Sequence, residues 1–297
     1  MLTTQELHRY SRHLLIPELG MEGQEKLKAA KVLVVGCGGL GSPILLYLAA
    51  AGVGTIGIID SDHVDESNLQ RQVLYGTHSI GKPKVEETTK RLQSLNPLIT
   101  IQPYFTALTS QNALAIFESY DLIIDGSDNF PTRYLVNDAC VLSNKPFVSG
   151  AIYRFEGQVA IFNHKNGPNY RDLFPTPPSP ELAPNCAEAG VLGVLAGIIG
   201  SLQSNEAIKL LTGIGTLLSG KLFVIDALTL TTRTIRIPLL PNRFEIKELI
   251  DYEAFCDVKP EATSQDITPE TLIKLMAEND DFQLIDVREP HEYASTI

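Results

Sequence analysis

The sequence predicts an α/β fold: a doubly wound, mostly parallel sheet with an antiparallel extension and helices on both faces. Three observations predict it. Short apolar, β-branched runs alternate with helix-length stretches through the first half of the chain. A glycine-rich turn, Gly36-Cys-Gly-Gly-Leu-Gly-Ser, follows the first of these runs directly. Beyond about residue 150 the runs alternate polar with apolar, as antiparallel strands do.

Taken in order, a helix is expected from Thr4 to Leu15 and a second, short one from Gln24 to Ala29. Lys31 to Val35 reads as the first buried strand, and Pro43 to Ala51 as a helix with proline tolerated in its first turn. Thr55 to Asp60 is the next strand, which completes a strand, glycine loop, helix, strand unit of Rossmann-like kind. Lys84 to Leu95 is amphipathic, with Val85, Thr88, Leu92 and Leu95 near one face, and Asn96-Pro97 stops it. A strand follows over Leu98 to Gln102, and Ser110 is a plausible cap for a helix ending at Phe117. Asp121 to Asp125 is a strand, Pro131 to Leu142 a helix, and Phe147 opens another strand. Gly157 to Asn163, Leu222 to Asp226 and Thr234 to Pro238 make the antiparallel extension. Asn163 to Pro184 holds six prolines and reads as a long crossing loop, followed by a long helix from about Val191 to Leu211.

The 297 residues allow one large domain plus something small. We expect a main domain over 1–255, a polar linker over 256–268, and a remainder over 269–297. That remainder reads as a helix (Pro269 to Glu278) and a strand (Phe282 to Val287), too little to bury a core of its own. A formal net charge of -11 argues against nucleic acid as the main ligand, because phosphate backbones are met by clustered Lys and Arg. The N-terminus lacks the apolar core of a signal peptide, and the apolar stretch Ala189 to Leu202 is too short to span a bilayer. No membrane association and a cytoplasmic location are therefore expected. Cys37, Cys140, Cys186 and Cys256 form no Cys-x-x-Cys pair, so no zinc site or disulfide framework is readable.

The chemistry begins at Gly36-x-Gly38-x-x-Gly41. Between a strand and a helix, such glycines permit a tight turn and let backbone N–H groups approach a phosphate at the helix N-terminus. Asp60 closes the second strand, where a carboxylate can hold ribose hydroxyls. Nucleotide binding follows; the identity of the nucleotide depends on what comes next. Ser67-Asn-Leu-Gln-Arg71, Lys84 and Asp128-Asn129 lie just beyond successive strands, in loops that meet over one crevice in an open α/β sheet. Arg71 and Lys84 can neutralise triphosphate oxygens, and Asp128 can hold Mg²⁺. A dinucleotide oxidoreductase has no need of this set, although the glycine loop and Asp60 alone would serve one.

Several signatures occur in order between about Gln5 and Phe255. They are Arg9-Tyr-Ser-Arg12-His, the glycine loop, Ser67-Asn-Leu-Gln-Arg-Gln72, Gly81-Lys-Pro-Lys84, Asp125-Gly-Ser-Asp-Asn129, Arg154-Phe-Glu-Gly-Gln158 and Cys186-Ala-Glu-Ala-Gly190. Together they resemble the MoeB/ThiF family, bacterial relatives of ubiquitin-activating enzymes, and most of all its MoeZ type. The resemblance implies an adenylyltransferase that activates the C-terminal carboxylate of a ubiquitin-like sulfur carrier ending in Gly-Gly. It implies ATP contacts at Gly39, Asp60, Ser67, Asn68, Leu69, Gln70, Arg71, Lys84, Asp128 and Asn129, with Asp128 as the Mg²⁺ carboxylate. It further implies a homodimer in which Arg12 reaches the partner's ATP site. Cys186 matches a position at which some relatives link covalently to the activated carrier; it also reads as a small buried hydrophobe. Two departures stand out. Where many relatives carry the first of two zinc-binding Cys-x-x-Cys pairs, this chain has Asn169-Tyr-Arg-Asp172, and no second pair lies near Pro241, so no zinc is expected. Phe282 to Tyr293 looks like the opening of a rhodanese-like domain without its reactive cysteine loop, so persulfide transfer by this chain alone is not expected. A carrier-docking protein without catalysis is the third reading, after the adenylyltransferase and the oxidoreductase.

Overall fold

The computed structural model describes residues 1–178, 190–239, 243–256 and Lys274. The chain divides into a compact unit spanning Met1–Val258 and a second over Lys259–Ile297. The linker, helix and strand expected after Cys256 lie outside the described residues, except that Lys274 is helical.

An eight-stranded sheet forms the centre of the first unit, in the order β3-β2-β1-β4-β5-β6-β7-β8. Its strands are β1 (Lys31–Val35), β2 (Thr55–Ile59), β3 (Thr100–Tyr104), β4 (Leu122–Asp125), β5 (Phe147–Tyr153), β6 (Glu156–Phe162), β7 (Lys221–Asp226) and β8 (Thr231–Arg236). The first five run parallel, and β5 through β8 pair antiparallel, so both the parallel body and the extension expected from the sequence are present. Val32 and Val34 face one core, while Leu33 and Val35 face the other. Because β1 is covered on both faces, it reads as a continuous apolar run. Each such fully buried aliphatic side chain contributes about 1.5–3 kcal/mol.

Helices α1 (Thr4–Arg9), α2 (Ser11–Leu14), α3 (Gly20–Ala29), α4 (Gly41–Ala51), α5 (Lys84–Leu95) and α6 (Ala113–Phe117) precede β4 or lie between the strands before it. After it come α7 (Phe130–Leu142), α8 (Tyr170–Leu173), α9 (Gly193–Thr212) and α10 (Tyr252–Phe255). One face of the sheet packs on α3, α4, α5 and α9, and the other on α6, α7, α8 and α10. Helix α4 stops at Gly52, whose left-handed φ of 83° suits glycine and whose N–H closes on Ala49.

Four local expectations are corrected by tertiary contacts. The N-terminal helix breaks at Tyr10, where the buried side chain turns inward and its hydroxyl accepts a 2.9 Å hydrogen bond from Asn96 Nδ2. Strand β3 starts at Thr100 rather than Leu98, because the Leu98 N–H is held by Asn96 Oδ1 at 3.2 Å. Ser110 does not cap α6, which begins at Ala113; its hydroxyl donates instead to the Ile250 carbonyl at 2.7 Å. The proline-rich segment is not wholly loop, because Asn169 and Asp172 form a capping box that starts α8.

The capping box delivers Arg171 into the core beside α7. Its Nε and Nη2 donate to the two carboxylate oxygens of Asp138 at 2.8 and 2.7 Å, and both side chains are nearly inaccessible. Tyr252 donates to the same carboxylate at 2.8 Å, and the Tyr134, Phe244 and Phe255 rings lie 4.9, 5.0 and 4.7 Å from the guanidinium. The ion pair thus joins residues 169–172 to α7, and the Tyr252 hydrogen bond and ring contacts clasp both to the segment containing Phe244 and Phe255. Arg171→Ala should destabilise the unit by about 3–5 kcal/mol, because it strands a buried carboxylate. Urea unfolding of the full chain reads this out; a loss below about 1 kcal/mol would show the pair to be incidental.

Candidate nucleotide-binding site

The chain order places a topological switch between β1 and β4: β2 and β3 wind to one side of β1, and β4 and β5 to the other. In open α/β sheets the crevice beyond the strand ends at such a switch is where ligands sit. Gly36 leaves β1 with φ 90°, which only glycine adopts easily, and α4 begins at Gly41. A Cβ at Gly41 would lie 2.1 Å from the Gly36 carbonyl oxygen, and one at Gly36 would lie 2.9 Å from that of Gly126. These two glycines are therefore required by backbone against backbone. Among the described residues, a Cβ at Gly38 would meet only Gln72 Nε2, at 3.6 Å. Packing does not require that glycine, which is the pattern expected where space is kept for a ligand.

Asp60 follows β2 beside this loop. Its Oδ2 accepts the Cys37 N–H at 2.7 Å and its Oδ1 the Asp62 N–H at 2.8 Å, which leaves lone pairs on both oxygens for ribose hydroxyls. Burial pushes its carboxyl upward, opposed by the Cys37 amide and by Lys84. Burial likewise raises the Cys37 thiol well above its ordinary range, so Cys37 is a packing residue.

Ser67 and Asn68 belong to a 3₁₀ turn, Glu66–Asn68, that runs on as turn through Arg71 and is fixed by Asp65, whose carboxylate accepts the Ser67 N–H at 2.8 Å, and by Asn68, whose Oδ1 accepts the Asp65 N–H at 3.2 Å. The half-buried Arg71 donates to the Ser67 carbonyl at 3.1 Å, and its Cγ would be 3.5 Å from a Cβ on Gly39. The same turn meets the start of α9: a Cβ on Gly193 would lie 2.4 Å from the Gln70 carbonyl oxygen. Leu69 is half-buried, and Gln70 is exposed.

Lys84 is the first residue of α5. It is 5% exposed and pairs with Asp62 at 2.8 Å, so its charge is already partnered before any phosphate arrives. Asp128 and Asn129 occupy the loop after β4, which touches the glycine turn through Gly126 and Gly36. Asp128 is exposed, with no hydrogen bond or ion pair among the described residues, and Asn129 caps α7 by accepting the Thr132 N–H at 2.9 Å. Asp125 anchors this loop: its Oδ1 accepts from Ser127 N–H and Oγ at 2.9 and 2.6 Å, and burial raises its carboxyl.

Glycine loop, Asp60, Arg71, Lys84 and the Asp128 loop thus gather around one end of β1. Arg12 does not join them within one chain. His13, beside it, binds Gln24, which donates to Ala51 at the far end of α4; that helix is 11 residues, about 16 Å, long. Cys186 lies outside the described residues. Three contributors were missed in the sequence. Asp62 partners Lys84, and the Tyr75 hydroxyl donates to the Cys37 carbonyl at 2.9 Å. Gln72 is 4% exposed, and its Oε1 has no hydrogen-bond partner among the described residues. Gln72 was visible in the Ser67 to Gln72 run, but nothing there marked it as buried against the loop.

This arrangement defines a nucleotide-binding α/β protein with its crevice at the sheet's switch point. Residues 10–243 match the ThiF family. The chain is 52% identical to the probable adenylyltransferase/sulfurtransferase MoeZ of Mycobacterium tuberculosis over 301 aligned positions, covering 98% of this chain and 77% of the relative. It is 53% identical to the sulfur carrier protein adenylyltransferase of Thermus thermophilus over 268, covering 86% and 99% respectively. The solved structure of E. coli MccB with MccA-N7isoASN shares the fold with a TM-score of 0.72 at 22% identity, covering 82% of this chain and 74% of that one. The chain belongs to the ThiF family, an adenylyltransferase family. The oxidoreductase reading is thereby set aside.

The glycines supply a test. Gly38→Ala should leave unfolding free energy within about 0.5 kcal/mol of the parent while weakening ATP binding, whereas Gly41→Ala should impair both. Paired denaturant unfolding and ATP titrations check this; equal stability losses in the two variants would contradict the division of roles.

Proposed function

We propose that this protein uses ATP and Mg²⁺ to adenylate the C-terminal Gly-Gly carboxylate of a ubiquitin-like sulfur carrier protein, acting as a cytoplasmic homodimer. The observation that carries the proposal is the extent of the likeness to the Thermus sulfur carrier protein adenylyltransferase, 53% identity over 86% of this chain. The gathering of the glycine turn, Asp60, Arg71 and Lys84 at one strand end supports it.

The chemistry suits these residue types. The carrier's terminal carboxylate is ionised at neutral pH, so no general base is required. One of its oxygens attacks the α-phosphorus; that O–P bond forms as the bond from the α-phosphorus to the bridging oxygen breaks, and pyrophosphate leaves with the bonding electrons. Catalysis then rests on alignment and on neutralising charge that builds on the leaving group. The backbone N–H groups around Gly38 and Gly39 would cradle phosphate, Asp60 would hold the ribose, and Ser67 to Arg71 would line the nucleotide. Lys84 would exchange Asp62 for phosphate oxygen. Asp128, exposed and unpaired among the described residues, fits a metal that takes one or two carboxylates and completes its shell with phosphate and water. Mg²⁺ there would supply charge neutralisation. Arg12, remote from the crevice of its own chain, would act in the partner's site.

In domain terms, residues 1–255 would form the adenylyltransferase, 256–268 a linker and 269–297 part of a rhodanese-like domain. Cys186 would be available for a covalent carrier link.

Two measurements test the proposal. Carrier-dependent ATP–pyrophosphate exchange should require the intact Gly-Gly end, and Arg71→Ala and Asp128→Ala should each lower it by at least about 100-fold. Exchange that survives Asp128→Ala would overturn the metal assignment. Arg12→Ala and Asp128→Ala, each inactive alone, should regain activity when mixed and allowed to exchange subunits. No recovery would exclude sites shared between protomers.

A further inference from the structure

A second concave site lies at the opposite end of the sheet from the glycine loop. It is a cleft of about 560 Å³ whose polar lining comes from His164, Lys165, Ser219, Lys221, Thr234 and Arg236. The end of β6, the start of β7 and the end of β8 bring these residues together, level with Phe147 at the start of β5. Parallel strands begin there, whereas the nucleotide crevice lies beyond their C-terminal ends. The two sites are separated by the length of the sheet.

Its electrostatics are unusual for this chain. The protein carries a formal charge of -11, yet among the described residues no Asp or Glu lines the cleft. Lys165, Lys221 and Arg236 make no ion pair among the described residues. Lys221 and Arg236 stand directly opposite each other on neighbouring strands, a like-charge pairing that costs stability. Lys165 is held at φ 51°, between Asn163 at 54° and Asn166 at 58°, a backbone region that lysine rarely occupies. Burial, and then the Lys165 charge, lower the His164 imidazole below its ordinary value. A like-charge cross-strand pair and an unusual backbone at Lys165 thus accompany a group of cations that no acid among the described lining residues offsets. Ser219 and Thr234 add hydroxyl donors to the same concavity.

We propose that this cleft binds a compact multivalent oxyanion of the phosphate class, at a site separate from the adenylation crevice. A dianion between Lys221, Arg236 and Lys165 would turn the repulsive cross-strand pair into a clamp, with the hydroxyls as further donors. The volume exceeds that of one phosphate group, so a phosphorylated small molecule is accommodated as readily as the free ion.

His164 reports on occupancy without reference to catalysis. Its ring signals in the NMR spectrum of the full chain are assigned by their loss in His164→Gln. The protein is then titrated with inorganic pyrophosphate, and separately with NaCl at matched ionic strength. Pyrophosphate should raise the His164 pKa by about one unit, since an anion favours the charged imidazole; NaCl should not. Lys221→Gln with Arg236→Gln should weaken binding by at least about tenfold, and both positions are exposed, so folding should survive. Tighter binding of a sugar phosphate than of inorganic phosphate would identify an organic phosphate as the ligand; equal binding would identify the free ion. The proposal fails if chloride shifts His164 equally, if pyrophosphate leaves it unmoved, or if the double variant binds as the parent does. It also fails if only an oligoglutamate peptide shifts His164, which would make the cleft a protein-docking face.

Discussion

The close approach of three backbone segments at the end of β1 governs the rest of this structure. Gly36 passes within contact of Gly126, and Gly41 lies over the Gly36 carbonyl, at distances no side chain permits. Asp60 fastens the arrangement from the neighbouring strand by accepting the Cys37 amide. Because the contacts are backbone to backbone, they fix the start of α4 and the loop after β4 relative to one another. The crevice inherits its shape from that constraint. Ionisable groups at its rim can then be aimed by short local devices: the Asp65 capping box for Arg71, and the Asp125–Ser127 turn for Asp128.

Helix α9 extends this organisation along one face of the sheet. Its first turn packs on Gln70, its next on Gly39 through Ala196, and Gly200 sits against Leu40 and Pro43. Further along, Gln203 donates to the Asp125 carbonyl at 2.7 Å. A single 20-residue helix therefore touches the glycine turn, the arginine-bearing turn and the strand that carries the metal-loop candidate. Displacement of that helix would be felt at all three.

Much of this was legible in the sequence because it is enforced locally. The strands β1 and β2 are uninterrupted apolar runs, α5 shows a clear amphipathic face, and the glycine spacing sits between a strand and a helix. What was not legible depends on partners distant along the chain. Tyr10 breaks a helix because of Asn96, and Ser110 is drawn from its capping role by Ile250. The burial of Lys84 and its pairing with Asp62 likewise arise from folding, since no local spacing in the sequence joins residues 62 and 84. The α8 turn was hidden by prolines on either side, although its capping box was written in Asn169 and Asp172.

The clasp between Arg171 and Asp138 closes the unit where the α8 turn meets α7. A guanidinium wedged between three aromatic rings and a carboxylate arrives complete with the polypeptide. The closure of this part of the protein is thereby tied to how well a charged core excludes water.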